Sequence, residues 1–598
     1  MTTIAGAFTF DAEASIPGIW NHCEPGVAMA RRGECVWLAT STRVSTTHGG
    51  ARLVLTWDGR LDNSSDLRLR IGAPDVQADD DLVLAVFERW GVAGLELLVG
   101  DWSLALWERS RRTLHLARDY MGARPLYYCA NERGVTWASD LAELVDRCER
   151  RDALSDVFAA HFMSHRLAPG LTPYETIRAV QPGTCLTFRE GGALAARRLW
   201  AISPGRIQYR DSRRYEEQLR SLWADAIQAR LRTRRPVWAE LSGGLDSSSV
   251  VCMADRLIRR GDVPARSIHL VSHATLHSPE GDERRFIAEV ERQVGVRSEI
   301  VGVEENQAHT DPDRAWVTPY ALHGVGLATV RRAGHAGGCV ILSGRMGDAI
   351  MGCQPDNSEA VFDDFGRFDL LAAVRHLRGW SRATRKPFVE LAWRLFAPEA
   401  PGPDTGAALL SPPLRAMLRD TPPVGAVKEL SPAKRTLARL VLGYALGARL
   451  DIPLHPPGIV YTYPFGHRPL VEFVLAIPGA ELSAPGMTRS LMRRAFRELL
   501  PARVLNRVSK GYYPPAAFRG ALRHAASIVD VNDLEVVGRG WIDAERLRQS
   551  LRAFTDGGGV TGGDIHRVLR LERWLQARRE RPSIPQGKEV NSHAVLNA

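Results

Sequence analysis

The sequence predicts two folded units in series. The first is an α+β unit dominated by antiparallel sheet; the second is an α/β unit with a parallel, doubly wound sheet and a helical C-terminal part. Three observations predict this. Over residues 1 to about 200, short alternating or aromatic-rich runs recur with turn signals between them. From Arg213 onward, segments at helical spacing alternate with short apolar runs, the pattern of βαβ units. At the first strand-to-helix junction stands "AELSGGLDSSSV", residues 239–250, a glycine turn where open parallel sheets bind ligands.

In the first unit, "ECVWLAT", "ARLVLTWDGRLDN", "DWSLALWE", "RTLHLARD", "RPLYYCA" and "GVTWASD" read as strands. "DDDLVLAVFERWG" reads as a helix, because its leading acids suit the positive end of the helix dipole. "TCLTFREGGALAARRLW" closes the unit as a hairpin with Gly191-Gly192 in its turn. "AISPGRIQYRDS" reads as a linker. Next come a helix, "RRYEEQLRSLWADAIQARL", a strand, "PVWAELS", the glycine turn, and a helix, "SSSVVCMADRLIRR". The strand "SIHLVS", the helix "DERRFIAEVERQVG" and the strand "GCVILSG" extend the alternation. From about 360 to 580 the pattern is mostly helical, interrupted by Pro-rich loops, "LSPPLRAM" and "LHPPGIVYTYPFG". "TDGGGVTGGD" (555–564) reads as a flexible helix-to-helix loop, and the polar tail as disordered. The expected domains are 1–205 and 206–580, with 581–598 as the tail.

Composition bounds the chemistry. A chain of 598 residues exceeds one ordinary domain, and 45% hydrophobic with 24% charged residues is usual for a water-soluble fold. No apolar run reaches the roughly 18 residues of a membrane span. "MTTIAGAFTFDAEAS" lacks the basic and apolar regions of a signal peptide, so a cytoplasmic location is expected. The 8 cysteines are scattered without a C-x-x-C pair, which favours reduced thiols over a disulfide framework or zinc site. The net charge is +10, but arginine is spread without a dense block, so nucleic acid is not the expected partner.

The turn itself asks for phosphate. Gly243 and Gly244 let backbone N–H groups approach a ligand, and Ser242, Ser247 and Ser248 add hydroxyls. The following helix points its positive end at the same place. Asp246 would repel phosphate unless a cation such as Mg²⁺ lies between them. The lysine of a Walker A loop is missing. "LSGGLDSS", from Leu241 to Ser248, resembles the pyrophosphate-binding loop of the ATP pyrophosphatases. The resemblance implies ATP as cosubstrate, attack at its α-phosphate, an acyl-adenylate, and release of pyrophosphate.

"VILSGRMGDAIMG" (340–352) resembles the second loop of asparagine-synthetase-type enzymes, with Ser343, Gly344 and Asp348 at the matching positions. That implies Asp348 as a second Mg²⁺ carboxylate opposite Asp246. "YPFGHRPLVEFVLAIP" and "TRSLMRRAFRELLPARVLNRVSKGYYPP" (488–515) resemble the family's later segments. They imply Lys510 as the catalytic lysine that stabilises charge on the α-phosphate and departing pyrophosphate. Arg489 and Arg507 are candidates for phosphate or carboxylate contact. Asp282 and Glu283 of "GDERRF" fall near the expected substrate mouth, or form a solvated helix start.

The first unit resembles a glutamine amidotransferase domain of the Ntn-hydrolase type. "WDGRLDN" stands at its N-G-x-I-Y-N element, and "LVGDWSLALWERSRRTLHLARDYMGARPLYY" and "WASDLAEL" match later parts. A working glutaminase uses a cysteine directly after the initiator methionine. Here residue 2 is Thr2, "IAGAF" holds no cysteine, and the first is Cys23. The resemblance therefore implies a scaffold without glutaminase activity. β-Lactam and carbapenam synthetases also lack that cysteine. So do the macrolactam synthetases of lasso peptide biosynthesis, which are similar in length and whose second loop resembles "SGRMGD". That branch implies adenylation of an Asp or Glu side chain of a linear core peptide, then attack by the peptide's N-terminal amine. Its partners would be that peptide and the leader peptidase of the pathway, with residues 360–460 holding a pre-threaded peptide. Arg345 stands where relatives that activate weakly acidic amines carry an acid or tyrosine. A guanidinium is no base near neutral pH. An α-amine with a pKa of about 7.7 to 8.0 needs little activation, so Arg345 is expected to bind phosphate or a carboxylate. An asparagine-synthetase-like or β-lactam-synthetase-like ligase, and a non-catalytic binding protein on the same fold, are the alternatives.

Overall fold

The structure, a computed structural model, describes residues 4–10, 28–30, 36–40, 45–46, 52–148, 150, 152–164, 170–202, 205–275, 282–306, 314–320, 324–352, 357–362, 370–396, 407–418, 432–447, 458–507, 530–555 and 562–581. The core of the "TDGGGVTGGD" loop and the tail beyond Arg581 lie outside these residues.

Alternating strands build the N-terminal unit as two six-stranded antiparallel sheets. One is ordered Ile177–Ala179, Tyr127–Asn131, Gly134–Ala138, Ile4–Thr9, Val36–Thr40, Ala28–Ala30. The other is ordered Leu194–Arg198, Thr184–Arg189, Thr113–Arg118, Gly100–Glu108, Leu53–Leu61, Ser45–Thr46. Period-two alternation decides what each face buries. Along Gly100–Glu108, Trp102, Leu104 and Leu106 pack beneath the Asp79–Trp90 helix, while Ala105 and Trp107 meet Phe8, Trp137 and Phe188 between the sheets. Ala5 and Ala7 face outward against the Asp156–Ser164 helix core. The result is a helix–sheet–sheet–helix sandwich, the Ntn-type layout. The predicted closing hairpin is there: Thr184–Arg189 pairs with Leu194–Arg198 through Glu190–Gly192.

His115 lies on the outer face of the second sheet, with Nδ1 3.0 Å from Thr187 Oγ1. Burial, helped by Arg189 and Arg111, holds its pKa down to about 4 against an ordinary 6.5. The folded imidazole stays neutral where the unfolded one takes a proton. Stability should therefore fall as pH drops from 6.5 towards about 4. His115→Gln should remove that share of the slope in denaturant titrations across this range; an unchanged slope would contradict the assignment.

The second unit centres on a five-stranded parallel sheet ordered Ser298–Gly302, Ile268–Ala274, Val237–Glu240, Val340–Leu342, Val460–Thr462. The chain winds outward from Val237–Glu240 in one direction through two strands, then returns to its other side for the last two. The reversal falls between Val237–Glu240 and Val340–Leu342, the switch point where open sheets gather ligands. Two strands differ from the sequence expectation. Ser298–Gly302 is polar enough to pass as loop, and Val460–Thr462 lies inside the segment read as the loop "LHPPGIVYTYPFG". Likewise "LSPPLRAM" is not all loop: Pro412–Met417 is a short helix whose leading prolines occupy its first turn, where no N–H is needed.

The connector "AISPGRIQYRDS" is packed rather than loose. Ile202, Ile207 and Tyr209 cover the second unit's core, and Ile207 N–H donates to Ala476 C=O at 3.0 Å. The C-terminal helices return to the first unit. Trp541, Leu571 and Trp574 share a core with Phe158 and Met163 of Asp156–Ser164.

A buried charge network ties the first unit to the sheet edge beside the switch point. Arg230, from the second unit, lies 3.6 Å from both Asp62 and Asp101 of the first. Arg230 Nε donates to Thr462 Oγ1 at 2.9 Å, and that hydroxyl donates to Asp101 at 3.1 Å. Burial alone would raise the pKa of Asp62, but Arg60, His467 and Arg230 hold it far below the ordinary carboxylate range. Ser343 N–H in turn donates to Thr462 C=O at 3.0 Å. The first unit thus anchors a strand whose backbone holds the start of the second loop.

Candidate active site

Two loops leave neighbouring strands at the switch point and face one another. The first, Leu241–Gly244, leads into the Leu245–Arg260 helix, whose N-terminal N–H groups receive no side-chain cap. Gly243 has φ +68°, and a Cβ there would stand 2.6 Å from Phe286 Cβ, so glycine is required twice over. Ser242 Oγ and Ser247 Oγ lie 2.9 Å apart, and Ser242 N–H donates to Ser247 Oγ at 3.0 Å. The hydroxyls are thereby fixed across the turn.

The second loop, Ser343–Asp348, is pressed against the first. A Cβ at Gly344 would lie 2.6 Å from Ser247 N, and one at Gly347 would lie 2.5 Å from Asp246 Cγ. Met346 is held at φ +74°, buried, at the start of the short Gly347–Ile350 helix. Such left-handed conformations in larger residues are costly and concentrate at functional sites.

Between the loops is a cavity of about 590 Å³, within the range of small-molecule sites. Leu241, Ser242, Gly244, Asp246 and Ser247 line one side; Ser343, Gly344, Arg345 and Asp348 line the other. Most of the expected site residues therefore meet. Gly243 and Ser248 do not line it: the Gly243 carbonyl accepts from Arg507 at 3.1 Å, and Ser248 is fully buried. Lys510 lies outside the described residues.

Asp246 and Asp348 converge on Arg489. Its Nη1 lies 2.9 Å from both oxygens of Asp246 and 2.9 Å from Asp348 Oδ1. The pair fits a magnesium site: Mg²⁺ is commonly held by one or two carboxylates, with substrate phosphates and water supplying its other ligands. Among the described residues no group of three or more His, Cys, Asp or Glu side chains is placed to hold a metal. Asp246 and Asp348, which converge on one point, are the residues that would hold such an ion.

Glu283 and Arg507 both line the cavity, as expected of residues near its mouth, and are paired with one another there. Glu283 is not a solvated helix start: it is buried and ion-paired with Arg507, whose guanidinium also lies 4.2 Å above the Phe286 ring. Asp282 pairs with Arg284 at the surface. Arg493 accompanies them, donating to the carbonyls of Thr488 at 3.0 Å and Arg507 at 2.8 Å. It fixes the segments that carry Arg489 and Arg507.

Three residues of the cavity region were not singled out from sequence. Glu240 accepts from Ser343 Oγ at 2.5 Å and Tyr461 OH at 2.8 Å. Burial, reinforced by Glu240, pushes the Tyr461 hydroxyl well above its ordinary pKa, so it remains a donor. His273 is held below its usual range by burial, with Arg345 acting in the same direction and Glu240 opposing. A signal for Glu240 was present in "WAELSGG": one charged residue at the end of an apolar strand.

The profile of the asparagine synthase family matches residues 218–576, and that of the glutamine amidotransferase domain matches residues 36–200. The chain belongs to the asparagine synthase family. Among curated relatives, it is 27% identical over 223 residues to the glutamine-hydrolyzing asparagine synthetase 3 of Bacillus subtilis, covering 35% of each chain. It is 26% identical over 296 residues to the amidase chry2 of Gibberella zeae, covering 46% of this chain and 43% of that one. It is 23% identical over 414 residues to the glutamine-hydrolyzing asparagine synthetase 2 of Arabidopsis thaliana, covering 63% and 66%. The chain spans about a third to under a half of the first two relatives' length. The two matched profiles fall on the two folded units, the glutamine amidotransferase one on the first and the asparagine synthase one on the second. No helix among the described residues is long and apolar enough to cross a membrane.

Proposed function

We propose that this member closes a ring within a peptide, as a lasso peptide macrolactam synthetase. The observation that carries the ligase part is the pair of loops facing each other across one cavity, with Asp246 and Asp348 directed to a common point. ATP would lie with its phosphates on the N–H groups of the glycine turn and on Ser242 and Ser247. Mg²⁺, when bound, supplies positive charge against the phosphates. A side-chain carboxylate of the peptide attacks the α-phosphorus. The α–β phosphoanhydride bond breaks and pyrophosphate leaves, with Lys510 stabilising its charge. The N-terminal amine then attacks the acyl carbon, the acyl–phosphate bond breaks, AMP leaves, and the amine's extra proton passes to solvent.

The second loop, "SGRMGD", supports the choice of branch. Arg345 is exposed at the cavity and can neutralise a carboxylate or phosphate, but cannot take a proton. That suits an α-amine nucleophile. The N-terminal unit serves as scaffold in this reading. Thr2 and Thr3 stand directly before the Ile4–Thr9 strand, where the resemblance places a cysteine. Burial pushes the Cys185 thiol up to about 12, which leaves it unreactive. The enzyme would work in the cytoplasm on a linear core peptide, beside the peptidase that frees the peptide's amine. The names of its asparagine synthetase relatives favour a second reading, amide formation on a small acid such as aspartate.

The test offers the protein ATP, Mg²⁺ and linear peptides that carry an N-terminal amine and an internal Asp or Glu. The expected products are AMP, pyrophosphate and a peptide lighter by one water. N-terminal acetylation should abolish closure. Turnover only with aspartate and ammonia would replace the peptide reading with the small-substrate one.

A further inference from the structure

The two carboxylates of the site already hold a cation, and it belongs to the chain. One nitrogen of Arg489 touches three oxygens of Asp246 and Asp348, each at 2.9 Å. The side chains of Arg489 and Asp246 are 13% and 11% exposed, so their contact is poorly screened by solvent, while Asp348 is 36% exposed. Its backbone is also unusual. Arg489 is one of four non-glycine residues with positive φ among the described residues, at +57°, and Met346 across the site is another. Its N–H is tied to Gly352 C=O at 3.1 Å, so the residue is clamped from the second loop's own continuation. A guanidinium nitrogen and a divalent ion cannot both sit at the point between these three oxygens.

We infer that Arg489 is the resting occupant of this cation position and bars a divalent metal from it until a nucleotide arrives. This rests on the reading of Asp246 and Asp348 as the metal carboxylates. The incoming triphosphate gives the guanidinium an alternative anion, since arginine pairs phosphate as readily as carboxylate. As Arg489 turns to the phosphates, the carboxylates are released to the ion that accompanies them. Metal and nucleotide therefore bind with strong positive coupling, which must be reciprocal. The device also spares the resting site two facing, unneutralised carboxylates, which would otherwise repel each other.

The probe is Mn²⁺, followed by electron paramagnetic resonance of the free ion, with and without the α,β-methylene analogue of ATP, which is not cleaved at that position. No peptide or turnover is involved, so failure of the peptide reading leaves this test intact. Wild type should bind Mn²⁺ at this site only with the nucleotide. Arg489→Met should gain nucleotide-independent Mn²⁺ binding, tighter than wild type by about tenfold or more. Adding Asp348→Asn to Arg489→Met should erase the gain, which identifies the site. If Arg489→Met does not fold, Arg489→Gln, which keeps a polar side chain without the charge, takes its place. Equal Mn²⁺ binding by wild type with and without nucleotide would overturn the inference. So would a folded Arg489→Met protein without the gain where wild type does bind Mn²⁺ with the nucleotide. Loss of Mn²⁺ binding from every protein even with nucleotide would overturn instead the metal reading on which the inference rests.

Discussion

Arg507→Ala should lower the unfolding free energy by about 3–5 kcal/mol, the usual cost of stripping one partner from a buried ion pair. The side chains of Arg507 and Glu283 are 6% and 4% exposed, and the guanidinium also serves the Gly243 carbonyl and the Phe286 ring. Removing it leaves a carboxylate buried without its counter-ion directly behind the glycine turn. A urea titration of wild type and variant reads the effect. Replacing both partners, as Arg507→Met with Glu283→Leu, should destabilise less than Arg507→Ala alone, because no charge is left stranded. A change below about 1 kcal/mol for Arg507→Ala would show that water reaches Glu283 and that the pair is a surface one.

Gly347→Ala should reduce turnover by about 10²-fold, the scale expected when a reacting group's holder shifts by about an ångström. The added Cβ would stand 2.5 Å from Asp246 Cγ and 2.8 Å from its Oδ1, so either the loop or the carboxylate must move. The matching control is Gly443→Ala in the Pro432–Gly447 helix, where nothing stands within 4 Å and activity should be retained. Steady-state rates with saturating ATP separate the two. Equal rates for both variants would mean that the contact between the loops does not fix Asp246.

Much of this was legible in sequence for a physical reason: the signals were local. Alternation in "GDWSLALWE" sorts side chains to two faces within nine residues, and a glycine turn needs its glycines wherever the strand ends. What the sequence hid depends on distant partners. Arg489 meets Asp246 across 243 positions, and its role is set by where two loops converge rather than by its neighbours. The strand Val460–Thr462 has only three residues and is made by pairing with Val340–Leu342. Glu240 becomes a hydrogen-bonded floor residue only because Tyr461 and Ser343 arrive from separate strands. Glu283 could not be told from a solvated helix start until Arg507 was seen to cover it.

In the proposed reaction a peptide carboxylate attacks the α-phosphate of ATP and becomes an acyl-adenylate. Oxygen tracing tests it most directly. A linear peptide whose acidic side chain carries ¹⁸O in its carboxylate is incubated with ATP, Mg²⁺ and the protein, and the phosphorus-containing products are analysed by mass spectrometry. One ¹⁸O atom is expected in AMP and none in pyrophosphate. Label in inorganic phosphate beside ADP, or AMP formed without label, would contradict it.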